Sequence, residues 1–192
     1  MIRVIGPRDP IPRDTEVINT TSRSRTWSKG LSPFVIGPCE LYGGFVAKKM
    51  ENAWQFLKLY KIHSDENGNP TDEYFEWAKT GWSDCRANRY PMGKGAKPLC
   101  SYWDGEKLSY MEARKRIYVP LYRSAVEKTS AFQTLQLICD CAEQDIYLWD
   151  FDGYDHNELG MSFDEVVNCE TRKMGHAFVL YGMLSGEIEK YM

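Results

Sequence analysis

Three side chains with complementary chemistry lie close together in the sequence, namely Glu51, Gln55 and Lys58. If residues 47–64 form one helix, a rotation of about 100° per residue places the three on a single line about two turns long. Glu51 and Lys58 are too far apart for the usual i,i+4 ion pair of a solvated helix face. A carboxylate and an amine that flank a cleft can perform general acid–base or covalent amine chemistry once burial shifts their pKa values.

The other residues of this predicted helix are mostly apolar. They cover an arc of about 220°, which is wider than a surface helix needs and predicts burial on several sides. The members of the arc are Ala53, Trp54, Phe56, Leu57, Leu59 and Tyr60. The alternative is that the polar line is simply the solvated edge of an amphipathic helix.

A second short motif precedes the polar line and completes a family resemblance. The stretch Leu31-Ser32-Pro33-Phe34, followed by Glu51-x-x-Trp54-Gln55-x-x-Lys58, resembles the signature of the NADAR superfamily of NAD- and ADP-ribose-associated N-glycosidases. That superfamily typically has Leu or Phe-Ser-Asn-Phe and then Glu-x-x-x-Gln-x-x-Lys, with aromatic residues between. Proline stands here in place of the usual asparagine. The resemblance covers residues 31–58 and is loose elsewhere.

The resemblance implies an N-glycosidase that cleaves the bond between a ribose C1 atom and a nitrogen. The implied reaction removes ADP-ribose from guanine in DNA or in a nucleotide, and an alternative substrate is a ribosylamino-pyrimidine of riboflavin synthesis. Glu51 would stabilise the positive charge of an oxocarbenium-like sugar. Lys58 would capture a ring-opened ribose aldehyde as an imine or act as an acid–base group. Neither a cofactor nor a metal is expected.

Side chains that can hold a nucleotide occur in these motifs and in two cationic segments. The segments are residues 23–29 and residues 86–98, and the second contains glycines but has no Walker spacing. Cations and backbone N–H groups of such loops can bind a pyrophosphate or a nucleic-acid backbone. The default interpretation of each segment is a solvated charged loop. The candidate ligand-binding residues are Trp27, Phe34 and Trp54 for stacking on a base, Ser32 and Gln55 for shaping the pocket, and Arg25, Arg86 and Lys94 for holding phosphate.

An acidic loop follows a predicted buried strand within residues 145–156. Asp150 and Asp152 are weaker candidates for a catalytic or ribose-binding carboxylate, since the resemblance implies an aspartate-containing C-terminal segment. A tight turn at Asp152-Gly153 and a metal site that includes His156 are the alternatives. The loop also resembles the nucleophile motif of haloacid-dehalogenase-type phosphatases, but this reading is disfavoured because too few residues follow Asp150 for the later motifs of that class. The spacing of an EF-hand calcium loop is absent.

The C-terminal segment 173–186 has the composition of a buried helix. The resemblance likewise implies a glycine-bearing apolar helix near the end of the domain. Lys173 and His176 lie on neighbouring faces of the segment, so both are candidates for lining the same cleft. The alternative for His176 is a core histidine whose ring is satisfied by hydrogen bonds.

The elements that position these residues predict an α+β, helix-rich fold. Strands are predicted at residues 15–20 and at the start of segment 145–156, for a total of two or three isolated strands. Besides the helix over 47–64, a helix is predicted over residues 71–82, with Thr71 as N-cap and a stop at Gly81. One or two helices are predicted over residues 101–144, with a start at Ser109 and a kink or division at Pro120. A short helix is predicted over residues 162–169, with a capping box of Ser162 and Glu165. The whole chain, residues 1–192, is predicted to be one NADAR-like domain. It would include a loop-rich segment at 1–30 and a cationic, glycine-containing loop at 83–108.

Composition restricts the class of protein. The formal net charge of −3 excludes a generally basic nucleic-acid coat, and six cysteines without a CxxC pair lack zinc-ribbon spacing. The sequence has no signal-like N-terminus and no long apolar run. We therefore expect a soluble, cytoplasmic protein with reduced thiols and no membrane association. Its expected substrate is an ADP-ribose-containing nucleotide or ADP-ribosylated nucleic acid, and no oligomeric partner is indicated.

Two rival hypotheses come from other functional classes. The first is a non-catalytic module that binds ADP-ribose-like nucleotides or nucleic acid through the same cations and aromatic rings. The second is an interaction protein that binds no nucleotide. Replacement of Glu51 distinguishes the enzyme from the binding module, because only the enzyme needs this carboxylate for turnover.

Overall fold

The chain folds as a mixture of helices and short strands, which confirms the predicted α+β class. A computed structural model describes residues 1–11, 13 and 15–191. The chain divides into two compact units, of which the first comprises Met1–Pro33 and Tyr122–Met192 and the second comprises Phe34–Leu121.

The strands and helices are short and alternate along the chain. The strands are β1 Ile2–Ile5, β2 Glu16–Asn19, β3 Cys39–Glu40, β4 Val46–Ala47, β5 Lys58–Leu59, β6 Cys100–Trp103, β7 Glu106–Leu108 and β8 Ile146–Trp149. The helices are α1 Met50–Gln55, α2 Asp72–Ser83, α3 Tyr110–Ala113, α4 Val119–Val126, α5 Ser130–Cys141, α6 Phe163–Asn168 and α7 His176–Ser185. Short 3₁₀ helices occur at Trp27–Leu31, Tyr42–Gly44, Lys61–His63 and Glu189–Tyr191. Among these described elements, no helix has the length and apolar character needed to cross a bilayer.

A three-stranded parallel sheet lies in the first unit. β8 is the central strand and pairs with β1 on one side and β2 on the other, so that Ile146 lies opposite both Ile2 and Glu16. The sequence predicts β2 and β8 correctly. It does not predict β1, because that short strand adjoins a proline-rich segment whose composition indicates a loop.

Helix α7 packs on this sheet. It contacts β1 and β8, and residues 177–180 have no exposed surface. Gly182 allows close approach to α6, since a Cβ there would collide with the ring of Phe163. The capping box predicted for α6 is confirmed. Glu165 N–H donates to Ser162 Oγ at 3.2 Å, and Ser162 N–H donates to Glu165 Oε2 at 2.8 Å.

The single helix predicted over residues 47–64 is wrong. Helix α1 ends at Gln55, and the chain turns at Phe56, whose N–H donates to Asn52 O at 3.0 Å. The next residues form β5, which pairs antiparallel with β6. All six residues of α1 are buried, so a solvated edge is also wrong. The bulky apolar residues at 56–60 suit a pleated sheet as well as a helix, and pairing with β6 decides between the two.

Strand content is higher than the two or three isolated strands predicted. The described residues form eight strands in two three-stranded sheets and one hairpin, with β5, β6 and β7 antiparallel in the second unit. β6 and β7 lie within the loop predicted at 83–108, so the cationic loop is limited to residues 84–99. Strands of two to four residues are too short to show the alternation of apolar and polar residues by which strands are recognised.

Two predicted helix breakers act in different ways. Gly81 does not stop α2, which continues to Ser83; a Cβ at Gly81 would collide with the ring of Phe56, so glycine allows a close contact instead. Pro120 lies in the first turn of α4, directly after the π-helical turn Arg114–Tyr118. Because proline lacks an N–H and its ring clashes with the preceding turn, a widened turn accommodates it inside a helix that continues to Val126. The predicted division at Pro120 is therefore wrong, since the break lies between Val126 and Ser130.

Both helix starts predicted in the second unit lie at the predicted cap residues, but only one of the two side chains accepts the capping hydrogen bond. Ser109 caps α3 with a full capping box, in which Glu112 N–H donates to Ser109 Oγ at 3.2 Å and Ser109 N–H donates to Glu112 Oε2 at 2.8 Å. Thr71 occupies the N-cap position of α2 as predicted, but its side chain does not accept the capping hydrogen bond.

Candidate active site

Glu51, Gln55 and Lys58 form a continuous hydrogen-bonded chain in the second unit. Gln55 Nε2 donates to Glu51 Oε1 at 2.9 Å, and Lys58 Nζ donates to Gln55 Oε1 at 2.6 Å. The Gln55 amide can satisfy both partners in one orientation only, with its NH₂ towards the carboxylate and its oxygen towards the amine. We call this arrangement the Glu51–Gln55–Lys58 chain.

Two different elements supply the Glu51–Gln55–Lys58 chain. Glu51 and Gln55 lie four residues apart on α1, so their side chains share one helix face. Lys58 is the first residue of β5, where its backbone pairs with Ser101 of β6. The turn at Phe56 brings Lys58 back to the end of α1. Lys58 is therefore grouped with Glu51 and Gln55 as predicted, although through a turn and a strand rather than a second helical turn.

Burial changes the chemistry of Lys58. Glu51 and Gln55 are 6% and 9% exposed. Burial lowers the pKa of Lys58 to about 8, and the positive charge of Arg89 lowers it too, whereas the negative charge of Glu51 raises it. A substantial fraction of this lysine is therefore a neutral amine near physiological pH, in contrast to an exposed lysine.

Aromatic rings line one side of this chain. Lys58 Nζ lies 5.3 Å from the centroid of the Trp54 ring, and Trp54 packs edge-on against Tyr118 at 5.0 Å. Tyr110 lies next to Trp54 at 6.2 Å and is itself covered by the Arg114 guanidinium at 4.9 Å. The amine thus faces an apolar, electron-rich ring surface, where electrostatic interactions are stronger than in water.

Asn52 attaches the cationic loop to α1. This side chain has no exposed surface. Its Nδ2 donates to Asp84 O at 3.2 Å and to Arg86 O at 2.9 Å, and its Oδ1 accepts from Asn88 N–H at 2.8 Å. One buried amide therefore holds the residues that immediately precede Arg89, the cation whose charge acts on Lys58. Sequence inspection did not single out Asn52, because its three partners lie more than thirty residues away.

Replacement of Asn52 by alanine is expected to release the cationic loop. The loss of three hydrogen bonds to a buried amide should cost about 1–3 kcal/mol of stability. Hydrogen exchange should show faster exchange of the Asn88 amide, with the protection of β6 retained. Asn67→Ala, in an exposed turn, is the matched control and should leave the loop unchanged. Equal protection of the Asn88 amide in the wild type and Asn52→Ala would show that Asn52 does not hold the loop.

The other candidate residues of the second unit lie at its surface or near it. Arg86 and Lys94 are both exposed, and Arg86 takes part in the Asn52 attachment through its carbonyl oxygen only. Phe34 is half-buried. It begins the second unit, whereas Leu31 and Ser32 belong to the first, so the motif of residues 31–34 crosses the division between the units.

A second group of predicted residues comes together in the first unit. Asp150 Oδ2 lies 3.0 Å from His176 Nδ1, and His176 Nε2 lies 2.8 Å from Thr20 O. Both ring nitrogens thus face acceptors, so the imidazolium is the form that donates to both. Ala177 N–H also donates to Asp150 Oδ2, at 3.3 Å. A Cβ at Gly175 would collide with the same oxygen, so glycine allows the carboxylate to reach the start of α7.

The Asp150–His176 pair has the features of a structural ion pair. Burial raises the pKa of Asp150, but the charge and hydrogen bond of His176 outweigh burial and hold it below its ordinary value. Asp150 and His176 are 4% and 6% exposed. Asp152 is more exposed and lies 3.7 Å from Lys173 Nζ at the surface. This arrangement favours the core-histidine and tight-turn interpretations, since Gly153 N–H donates to Asp150 O at 3.1 Å.

The alternative of a metal site at the acidic loop receives no support. His156 is buried against the rings of Phe178 and Tyr181 rather than beside the aspartates. Across the part of the chain that the structure describes, no group of three or more His, Cys, Asp or Glu side chains has the arrangement of a metal site.

Comparison with known protein families assigns the chain to one of them. Residues 10–162 match the model of a family of unknown function, DUF6939. The chain belongs to the DUF6939 family. No curated protein and no solved structure matches it.

The DUF6939 match contains the Glu51–Gln55–Lys58 chain, Asn52 and the acidic loop, but it ends before Lys173 and His176. The NADAR resemblance of residues 31–58 stays a prediction. Sequence inspection missed Asn52, Arg89 as the cation acting on Lys58, and the aromatic neighbours of Trp54.

Proposed function

We propose that this DUF6939 protein hydrolyses an N-ribosyl bond, with ADP-ribose attached to guanine in DNA or in a nucleotide as its substrate. The observation that carries the proposal is the buried Glu51–Gln55–Lys58 chain, in which a carboxylate is linked through one amide to an amine of lowered pKa. An amine whose pKa is lowered by burial and that lies close to a carboxylate is typical of catalytic sites. The resemblance of residues 31–58 to N-glycosidases supports the same chemistry.

Glu51 supplies the negative charge in the proposed reaction. Cleavage of an N-ribosyl bond develops positive charge at C1 and the ring oxygen of the sugar. A carboxylate that is held in place by a hydrogen bond and is 6% exposed stabilises this charge without first reorganising water. Gln55 holds the carboxylate in position and keeps it from direct contact with the amine.

Lys58 acts as an amine nucleophile in the proposed reaction. Once the ribose ring opens, C1 has the oxidation level of an aldehyde and carries the base nitrogen. The neutral Lys58 amine adds to C1, the C1–nitrogen bond breaks, and the base leaves with a proton. Water then hydrolyses the lysine imine, which releases the ribose aldehyde and restores the amine. The pKa of about 8 provides neutral amine for the first step.

The surroundings of the chain supply binding groups for such a substrate. Trp54, beside the amine, offers a ring for stacking on a base. Arg89, next to Asn88 in the loop held by Asn52, offers a guanidinium for phosphate. Arg86 and Lys94, both exposed on the same loop, add positive charge.

The direct test incubates the protein separately with DNA containing ADP-ribosylated guanine, with NAD and with ribosylamino-pyrimidines, and identifies the products by mass. The expected product is ADP-ribose, released from the modified DNA together with unmodified guanine. If ribose phosphate is released from the ribosylamino-pyrimidines and no product is released from the other two substrates, the substrate is an intermediate of riboflavin synthesis. Binding of ADP-ribose without release from any substrate would indicate the non-catalytic module, and neither binding nor release would overturn the proposal.

The pH dependence of the rate should report the state of Lys58. Because the amine must be neutral, activity is expected to rise about tenfold per pH unit below pH 8 and to level off above it. Cyanoborohydride added during turnover should reduce the imine and attach the sugar to Lys58. Lys58→Gln should give no adduct, whereas Lys61→Gln, which removes an exposed lysine, should give the wild-type yield. A rate that falls through pH 8 with no adduct would assign Lys58 the role of a proton donor instead.

A further inference from the structure

A cleft in the first unit has its own cationic and aromatic lining. Its volume is about 390 Å³, and it lies between β2 and the segment of residues 23–28. β2 is an edge strand of the sheet β1–β8–β2. The cleft contains the first of the two cationic segments identified in the sequence, and it has no part in the hydrolysis proposed above.

Hydroxyl groups fix the segment against β2. Ser24 Oγ lies 2.8 Å from Ser28 Oγ, and Thr26 Oγ1 lies 3.1 Å from both. Ser28 Oγ donates to the carbonyl oxygen of Asn19 at the end of β2, at 2.7 Å. Ser24 and Ser28 are buried. The backbone that carries the intervening residues is therefore held in one conformation before any ligand binds, which lowers the entropic cost of binding.

The cationic and aromatic side chains of this segment are exposed to solvent. These are Arg23, Arg25 and Trp27, and Trp27 is 37% exposed. The Arg23 guanidinium lies 4.9 Å above the ring of Phe151. A guanidinium stacked on a ring keeps its N–H groups directed outwards in its own plane, the geometry that binds phosphate oxygens in pairs.

The charge of this segment is opposite to that of the whole protein. Residues 17–29 contain three cations and no acidic residue, whereas the formal net charge of the chain is −3. Glu16 is the one acidic side chain among the described residues that line the cleft, and it lies on β2 rather than on the cationic segment. A local concentration of cations around an exposed indole on a negatively charged protein is a selective arrangement for an anion that also has an apolar face.

We infer that this cleft binds single-stranded nucleic acid, with one base stacked on Trp27 and the adjacent phosphates held by Arg23 and Arg25. Stacking platforms flanked by cations are how proteins hold single strands without reading their sequence. The cleft has room for about one nucleotide, and ligand sites start at roughly 300 Å³. A duplex does not fit this chemistry, because its base faces are already stacked and only its phosphates are accessible.

The test measures fluorescence anisotropy of a short labelled thymidine oligonucleotide with the full-length protein. The single strand should bind in a salt-dependent manner, and the duplex of the same length should bind at least tenfold more weakly. Thymidine monophosphate should compete poorly, because it offers a single phosphate. Equal affinity for the duplex, or no binding of the single strand at low salt, would overturn the inference.

Variants separate the stacking contribution from the electrostatic one. Trp27→Ala should weaken binding about tenfold with the salt dependence unchanged, because base stacking is not ionic. Arg25→Ala should weaken binding and reduce the slope of log affinity against log salt by about 0.7, the value for one phosphate of a single strand. Lys128→Ala, which removes an exposed cation elsewhere in the first unit, is the charge-matched control and should change neither quantity.

Two results would place the binding elsewhere. The first is that Trp27→Ala binds the single strand with wild-type affinity. The second is that Arg25→Ala and Lys128→Ala change the slope of log affinity against log salt equally. Circular dichroism of each variant excludes unfolding as the cause of lost binding, and the replaced residues are exposed, so the fold should persist. Glu51→Gln should bind the single strand as the wild type does, so loss of hydrolysis and loss of this binding are distinguishable.

Discussion

Glu51→Gln is expected to lower the rate of N-ribosyl hydrolysis by about 10²–10³-fold, the usual effect of removing one preorganised electrostatic group from a reacting centre. Glutamine has the same shape, so α1 and the contact with Gln55 should persist. The uncharged amide no longer stabilises positive charge on the sugar. The loss should appear in kcat with little change in KM, since the charge develops in the transition state and not in the bound substrate.

The matched control for this prediction is Glu76→Gln. Glu76 is an exposed glutamate on α2 that forms a surface ion pair with Lys79 at 3.3 Å. Glu76→Gln changes the net charge of the same unit by the same amount as Glu51→Gln, but at an exposed surface pair. The rate of this control should therefore stay within about twofold of the wild-type rate. Glu51→Gln should also retain affinity for ADP-ribose. Hydrolysis by Glu51→Gln at the wild-type rate would show that Glu51 has no part in the mechanism and would contradict the proposed function.

Asp150→Asn is expected to lower the free energy of unfolding by about 3–5 kcal/mol, the usual cost of removing one partner from a buried ion pair. Asp150 Oδ2 accepts from His176 and from Ala177 N–H, and Oδ1 faces Asp152 N–H at 3.4 Å. Asparagine has one acceptor oxygen where the carboxylate has two, so its NH₂ must face a donor. The imidazolium of His176 would also lose its counter-charge in a buried site.

Urea denaturation measures this loss, and Asp152→Asn is its control. Asp152 carries the same charge two residues away, but it is 29% exposed and its contact with Lys173 is a loose surface pair. Surface pairs contribute about 0–1 kcal/mol, so the control should unfold nearly as the wild type does. Equal stability of the two variants would show that the Asp150–His176 pair does not stabilise the fold.

The same pair predicts a dependence of stability on pH. The pKa of Asp150 is lower in the folded protein than in the unfolded chain, because the charge of His176 outweighs burial. Its contribution is therefore fully present above about pH 4, the unfolded-state pKa, and is lost as the pH falls through the folded-state pKa. Acidification below about pH 4 should destabilise the wild type more than Asp150→Asn. Parallel curves for the two proteins would contradict this assignment.

Sequence signals of short range predicted the structure well. The helix start at Ser109 and the capping box at Ser162 depend only on neighbouring residues, and both predictions are confirmed. The strand before Asp150 and the turn after it follow from apolar residues next to an Asp-x-Asp-Gly segment. The pairing of Glu51 with Gln55 is likewise local, because both lie on one helical turn. These features need no information about the rest of the chain.

Lys58 shows where local patterns are insufficient. The spacing of polar and apolar residues predicts one helix that continues through residue 58. Instead the chain leaves the helix after Gln55 and enters β5, whose partner strand β6 begins at Cys100. Residues 56–60 are compatible with both conformations. The partner strand, about forty residues away, decides between them. The grouping of Lys58 with Glu51 and Gln55 was therefore predicted from an incorrect helix.

The sequence by itself determined the α+β class, the helix caps, the acidic turn and the residue types available for chemistry. Only the tertiary structure decided which of these residues meet and how deeply they are buried. Asn52 reaches Asn88 across 36 positions, and His176 reaches Thr20 across 156. Burial of Lys58, which lowers its pKa, likewise depends on side chains brought from distant segments. Desolvation and long-range hydrogen bonds are properties of the packed chain, so no local pattern of residues specifies them.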